Sequence, residues 1–306
     1  MPAFIAIGEA LTDLITQGDA GHERWLARTG GAGWNVARAV ARLGVPSAFA
    51  GAISHDVFGQ ALWDASETAG LDLRFMQRVA KAPLLAVVHC TEPPAYFFIG
   101  DDSADLHFDP QQLPQGWQSQ VQWAHFGGIS LARQPLAGRL LALARELKAQ
   151  GVRICFDPNY RVAMDLDAGY GATLRAMVEL ADVVKVSDED LVGLFRSADT
   201  AAHLSTLRSW NPHALCLVTH GAQGATLHAG AEHWTALPPA VVVADTVGAG
   251  DACMAALLAS LMLHPVSQPV EHLRYAVAGG AAACRQVGAS PPERSDIEEL
   301  LYRDSE

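Results

Sequence analysis

Short, wholly apolar runs that alternate with amphipathic stretches constrain this chain more than any other feature. Phe4–Ile7 is a continuous apolar run closed by Gly8, the pattern of a strand buried on both faces. Over residues 34–43 the apolar positions fall at helical spacing instead, with Val36, Val40 and Leu43 on one side, and the stretch halts at Gly44 ahead of Pro46. The alternation returns further on. A helical stretch at about 138–150 is stopped by Gly151, a strand follows at 152–156, another helix precedes Asp182, strands occupy 183–186 and 215–218, and a helix rich in Ala and Leu runs over about 250–263. Strands buried on both faces need helices on both, so the expected fold class is α/β with a mostly parallel sheet.

Two stretches break that rhythm. Residues 14–27 are a polar excursion, and residues 84–99 hold two β-like runs joined by Thr91-Glu92-Pro93-Pro94, which read as a hairpin. They are expected to form a small β lid over the carboxyl ends of the core strands, where open α/β sheets bind ligands. The organisation expected is a single domain over 1–306, with lid segments inserted at about 14–28 and 84–103.

A net charge of −12 with no basic tract argues against nucleic acid or an anionic membrane as partner, leaving a small molecule as the expectation. The chain enters an apolar strand at once, without the features of a secretory signal, and no run reaches the ~18 apolar residues of a membrane helix. A cytoplasmic location is expected. The five cysteines are scattered among apolar neighbours, which reads as buried free thiols.

Asp245-Thr246-Val247-Gly248-Ala249-Gly250-Asp251 stands just before the late apolar helix. Gly248, Ala249 and Gly250 leave backbone amides unobstructed at a helix start, a pocket for negative charge. A carboxylate there, Asp251, can accept the proton of an attacking hydroxyl while those amides stabilise a transferring phosphoryl group. The plain alternative is a first-turn acid favoured by the helix dipole. Gly30-Gly31-Ala32-Gly33-Trp34-Asn35 is a second glycine-rich helix start, and Asn35 offers a donor and an acceptor suited to a polyhydroxylated ligand; a tight turn with a helix cap explains it as well. No P-loop and no dinucleotide fingerprint occur.

Together these two segments, in this order and at this separation, resemble the two defining motifs of the ribokinase-like (PfkB) carbohydrate kinases, across essentially the whole chain. The resemblance implies a three-layer α/β/α core with a small β lid, and an ATP-dependent sugar kinase using Mg2+. It makes Asp251 the catalytic base and Gly248, Ala249 and Gly250 its anion hole. Thr219, Gly221 and Gly224 resemble the family's phosphate-approaching segment, with Thr246 beside them; a plain hairpin is the alternative. Asp13, with Gly30, Gly31 and Asn35, stands where the family grips sugar hydroxyls. Asp157-Pro158-Asn159-Tyr160-Arg161 resembles the D-x-N-x-R of fructokinases and ketodeoxygluconate kinases, which places Asn159 and Arg161 at the substrate or the moving phosphoryl group.

Many relatives carry N-x-x-E to organise magnesium; here Lys185-Val186-Ser187-Asp188-Glu189-Asp190 stands instead. Asp190 or Glu189 then holds the ion through water, with Lys185 and Ser187 near the nucleotide; a capped helix start is the alternative. Adenine is expected between the loop before Asp245 and the helix at 276–284, against Gly279 and Ala283. The resemblance to relatives that need potassium implies carbonyls near Asp245, Val247 and Ala289 as candidates for a monovalent cation.

Gly8-Glu9-Ala10-Leu11-Thr12-Asp13, Arg42-Leu43-Gly44 and Ser103-Ala104-Asp105-Leu106 resemble fructokinases. The lid aromatics Tyr96 and Phe98 are expected against the sugar. The arginine that many such enzymes place after that pair is missing from Phe97-Phe98-Ile99-Gly100, which favours a neutral ketohexose over a sugar acid. Fructose going to fructose 6-phosphate is the first expectation, 2-keto-3-deoxygluconate the second, and a non-catalytic sugar or nucleoside sensor the third. The exposed edge of the lid is a surface on which a homodimer can pair.

Overall fold

The computed structural model describes residues 1–17, 24–91 and 94–303, and of residues 91, 94–96 and 303 the backbone alone. In chain order the elements are β1 (Phe4–Ile7), β2 (Leu11–Gln17), β3 (Arg24–Gly30), α1 (Ala32–Arg42), β4 (Ser47–Ser54), α2 (Val57–Thr68), β5 (Met76–Val79), β6 (Leu85–Thr91), β7 (Pro94–Ile99), β8 (Trp123–Gly127), α3 (Leu136–Ala149), β9 (Arg153–Asp157), α4 (Tyr170–Leu180), β10 (Val183–Ser187), α5 (Asp188–Phe195), α6 (Thr200–Trp210), β11 (Leu215–Thr219), β12 (Ala225–Ala229), β13 (Glu232–Ala236), α7 (Ala249–Leu263), α8 (Pro269–Ala283) and α9 (Arg294–Arg303).

A 9-stranded sheet runs β13-β12-β11-β10-β9-β8-β1-β4-β5. From β11 to β5 all its pairings are parallel, and β12 and β13 add an antiparallel edge. Alternation along each strand feeds two cores, as the pleat requires. Ile5, Ile7, Ile154, Phe156, Val184 and Val186 pack with α3 and α4, whereas Phe4, Ala6, Cys155, Val183 and Leu217 pack with α1, α7 and α8. The layers are therefore helix, sheet, helix, and the three cysteines inside them, Cys155, Cys216 and Cys253, are free buried thiols.

A separate 4-stranded sheet, ordered β3-β2-β6-β7, grows from the ends of the core strands. β2 and β3 form one antiparallel hairpin and β6 and β7 another, and the hairpins join through a parallel pairing of β2 with β6. The polar excursion near residue 14 is thus a strand pair, in which Asp13 faces the register of Arg28 and Leu14 that of Ala27. No helix among the described residues is long and apolar enough to cross a membrane.

Candidate active site

Helix α7 begins, like its neighbour α1, on a glycine without a side-chain cap. Asp56, Ser187 and Asp199 close the starts of α2, α5 and α6 with side-chain hydrogen bonds, but Gly248 heads α7 with none. It can stand there because it is glycine: its φ is +81°, and a Cβ would lie 2.9 Å from the Cα of Ala289. Of the first-turn amides, that of Ala249 turns back to the Thr246 carbonyl at 3.2 Å, whereas those of Gly250 and Asp251 have no intrahelical acceptor and are left for something else.

Asp251 lies in that first turn, and its Oδ2 accepts a hydrogen bond of 2.8 Å from Nδ2 of Asn35. Burial pushes the Asp251 carboxyl up to about 6; the Asn35 amide pulls it back, the Asp157 charge raises it, and Lys185 and Arg161 lower it again. A carboxylate tuned to that range is ionised at neutral pH yet basic enough to take a proton.

Asn35 comes from the first turns of α1, whose N-cap, Gly31, has φ +118°. A Cβ on Gly31 would be 2.7 Å from the carbonyl oxygen of Glu9, so the tight entry into α1 tolerates no side chain. The Oδ1 of Asn35 is buried and has no hydrogen-bond partner among the described residues, which leaves an acceptor unfilled beside Asp251. The carboxylate of Asp13 occupies the space that a side chain on Gly30 would need. Burial pushes its pKa up to about 6, and Arg161 pulls it down. Asn159 has the left-handed φ of +40°, and its amide donates to Oδ1 of Asp157 at 3.0 Å, a turn that brings Asn159 and Arg161 out of β9. Arg161 Nη1 donates to the Tyr160 carbonyl at 2.7 Å, and its charge reaches both Asp13 and Asp251. The structure thus brings Asp13, Gly30, Gly31, Asn35, Arg161 and Asp251 to one place. Phe98 is half-buried on the small sheet and packs against the core; the side chain of Tyr96 lies outside the described residues.

On the other side of Gly250 a cavity of about 540 Å³ is lined by Lys185, Ser187, Glu189, Thr219, Gly221, Gly224, Thr246 and Gly250. Its apolar wall is formed by Pro238, Pro239, Ala240, Val241 and Val243 on one flank and by Val277, Gly280, Ala281 and Cys284 on the other. Gly279 and Ala283 correct the expectation for this wall. They belong to α8 as expected, but a Cβ on Gly279 would meet Ala256 and the Ala252 carbonyl of α7 and the side chain of Ile297, and Ala283 is buried away from the cavity lining. The helix was legible and its rotation was not, since an alanine-rich run has no strong polar face to fix it. A second hollow of about 610 Å³ nearby shares Ala240 and Val241 but contains none of the chemistry-bearing residues.

The start of α5 corrects another expectation. Asp190 forms a capping box with Ser187: its Oδ2 accepts from the Ser187 amide at 2.8 Å and hydroxyl at 2.9 Å, and its Oδ1 accepts from the Tyr160 amide at 2.7 Å. Both oxygens are taken, so Asp190 ties α5 to the turn after β9, and Glu189 is the acid of this segment that faces the cavity. Among the described residues no group of three or more acidic, histidine or cysteine side chains forms a metal cage. Asp245 is likewise occupied, accepting from the Val247 amide of its own loop at 3.0 Å and from the Gly288 amide of the loop after α8 at 2.8 Å.

Sequence reasoning missed one feature here. Lys185 is buried against Asp157, Nζ to Oδ2 2.9 Å. Burial works against its charge, but Asp157, Asp190 and Asp251 outweigh it and hold the ammonium firmly protonated. A charged residue inside one apolar strand and another ending its neighbour were the available signal.

A three-layer α/β/α core, an uncapped helix start holding a tuned carboxylate, and a cavity beside it are the features of a phosphoryl-transferring sugar kinase. Residues 1–296 match the pfkB family of carbohydrate kinases. A fructokinase of Klebsiella pneumoniae is 32% identical, over 96% of this chain and 98% of its own length. The crystal structure of a fructokinase with bound ATP from Xylella fastidiosa superposes with a TM-score of 0.90 at 29% identity, covering 100% of both chains. A fructokinase from Vibrio cholerae O395 in a fructose-, ADP- and calcium-bound form gives 0.85 at 29% identity, over 98% of this chain and 99% of that one. The chain belongs to the pfkB family of carbohydrate kinases.

Proposed function

We propose that the protein is an ATP-dependent fructokinase that converts fructose to fructose 6-phosphate. The observation that carries this reading is the position of Asp251, held by Asn35 on the polar, sugar-facing side and adjoining Gly250 of the cavity on the other. Asp251 takes the proton of the 6-hydroxyl as that oxygen forms its bond to the γ-phosphorus of ATP and the bond from that phosphorus to the β,γ-bridging oxygen breaks, releasing ADP. The first-turn amides of α7 and the guanidinium of Arg161 meet the charge that develops. ATP supplies the phosphoryl group, and the cavity suits it: bare glycines for phosphates near Lys185 and Thr219, then an apolar slot for the base. Asp13, Asn35 and Asn159 provide a neutral-sugar grip, and the Phe97-Phe98-Ile99-Gly100 stretch at the end of β7 lacks the arginine a sugar acid would call for.

Further details belong to the same reading. Glu189 holds a magnesium ion through water at the cavity rim. The loops of Asp245, Val247 and Ala289, which pack together through Gly248 and Gly288, offer carbonyls to a monovalent cation. The small sheet acts as a lid of one kinase domain, with insertions at about 14–28 and 84–103. Its outer edges, β3 and β7, are surfaces for pairing with a second copy, in a cytoplasmic enzyme. ADP formation measured over fructose, 2-keto-3-deoxygluconate, ribose and a nucleoside tests the assignment, with the product ester located by phosphorus NMR. Fructose should give the highest kcat/KM and the 6-phosphate. A preference for the sugar acid would move the protein to the ketodeoxygluconate kinases, and no turnover with any of the four would leave a sensor.

A further inference from the structure

β10 and β9 run side by side with Val183 opposite Cys155 and Val184 opposite Phe156, which carries Lys185, the middle residue of β10, alongside Asp157 at the carboxyl end of β9. The two side chains are 6% and 2% exposed. A buried ion pair of this kind is seldom more stabilising than apolar residues of the same volume, because both ions lose their hydration. Folding alone therefore gives little reason for it. Its placement gives a better one: Lys185 Nζ is 3.3 Å from where a Cβ on Gly250 would stand, so the ammonium lies directly against the residue before Asp251.

On the kinase reading above, we propose that Lys185 and Asp157 act through Asp251 as a positioning pair of opposed charges, Lys185 holding it in the proton-accepting form and Asp157 limiting that hold so that the carboxylate remains basic. A lone cation beside a general base makes it a weak one, and a lone anion leaves it protonated. The pair supplies both influences from a rigid sheet. The other groups that face Asp251 are Asn35 of α1 and Arg161 of the turn after β9; those facing Lys185 are Asp157, Asp190 at the start of α5, Asp251, His125 of β8 and Cys253 of α7, whose thiol burial pushes up to about 12 and so keeps neutral. His125 is buried and held neutral, its pKa pushed down to about 3 by burial and by Lys185, so it adds no charge near neutrality. Asp190 is fixed by the Ser187 and Tyr160 donors described above.

The direct readout is the titration of Asp251 itself, followed by carboxyl 13C NMR in the full chain without ligands and assigned by its loss in Asp251→Asn. Lys185→Met should move the titration up by about one pH unit, a tenfold change in proton affinity. Asp157→Asn should move it down, and Lys185→Arg should stay close to the unmodified protein. The acid limb of kcat/KM should shift in the same two directions. A purely structural pair lowers the melting temperature in both variants but leaves the Asp251 titration in place; that result, or shifts of the same sign, overturns the proposal. If Lys185→Met does not fold, Asp157→Asn decides alone, and the absence of a downward shift overturns it. The NMR measurement needs no turnover, so it stands apart from the sugar assay: an unmodified protein that phosphorylates no sugar defeats the kinase reading whatever Asp251 titrates at.

Discussion

The side-chain amide of Asn35 and the carboxylate of Asp251 are 2.8 Å apart although 216 positions separate them in the chain. α1 and α7 pack against each other over the same face of the sheet, so the two glycine-rich helix starts open toward one point. The proposed sugar grip at Asn35 and the proposed proton acceptor Asp251 are thereby one hydrogen-bonded unit, and breaking the bond between them should be felt at both.

Asp251→Asn keeps the shape and a hydrogen-bonding group but removes the base. The kcat should fall by about three orders of magnitude, the usual scale for a general base, with sugar affinity by calorimetry changed less than about threefold. Unaltered turnover would remove Asp251 from the proton-accepting role.

In the unmodified enzyme the rate should decline as pH drops through about 6, where Asp251 gains its proton. Asn35→Leu removes the one hydrogen bond that lowers this pKa, so its acid limb should lie at higher pH. It also removes the unfilled Oδ1, and the KM for sugar should rise about tenfold, the equivalent of one buried hydrogen bond of about 1.4 kcal/mol. A KM that rises with an unmoved acid limb would separate grip from base.

The apolar runs foretold the strands well: Phe4–Ile7 falls where expected, and the helix expected over 34–43 is α1, Ala32–Arg42. Long apolar repeats declare themselves because burial of both sheet faces leaves no polar position within the strand. The Asp245–Asp251 motif was legible as a helix start, since α7 opens at Ala249 with Asp251 in its first turn, although the sequence left a plain first-turn acid as the alternative. What stayed hidden depended on neighbours distant in sequence. The Ser187 cap of α5 was the alternative the sequence offered, but nothing local says that Asp190 will give its other oxygen to the Tyr160 amide, that Lys185 will meet Asp157, or that Gly279 will turn toward Ala256 rather than toward the cavity. Strand β4 was also passed over: Ser47–Ser54 mixes small and polar residues, yet is buried throughout.

Glu9 is 3% exposed, and its Oε2 accepts from the amide and hydroxyl of Ser130. Burial raises its pKa to about 7 against these hydrogen bonds. A carboxyl whose pKa is higher in the folded state costs nothing below its ordinary pKa and destabilises progressively as pH rises through about 7. The melting temperature should therefore fall between pH 5 and pH 8. Glu9→Gln should flatten much of that slope, since a shift of this size corresponds to roughly 3 kcal/mol at high pH; Asp13 and Asp251, raised by the same cause, should retain part of it. Thermal scans of the two proteins across that range check this, and an equal slope in both would mean that Glu9 is hydrated.

Gly31 and Gly44 both adopt left-handed backbone, at φ +118° and +96°, at opposite ends of α1. Their surroundings differ. A Cβ on Gly31 would be 2.7 Å from the Glu9 carbonyl and 3.0 Å from the Ala10 Cα, whereas nothing stands within 4 Å of one on Gly44. Each alanine substitution carries the backbone strain of about 1 kcal/mol or more; only Gly31→Ala also forces the entry of α1 away from the strand end. Gly44→Ala should then lose a few degrees of melting temperature and keep its KM for sugar. Gly31→Ala should lose more stability, and because α1 carries Asn35, its KM should rise by tenfold or more while the nucleotide, bound on the far side of Gly250, keeps its affinity. Equal kinetic effects in the two variants would show that strain in α1, and not the placement of Asn35, is what the sugar senses.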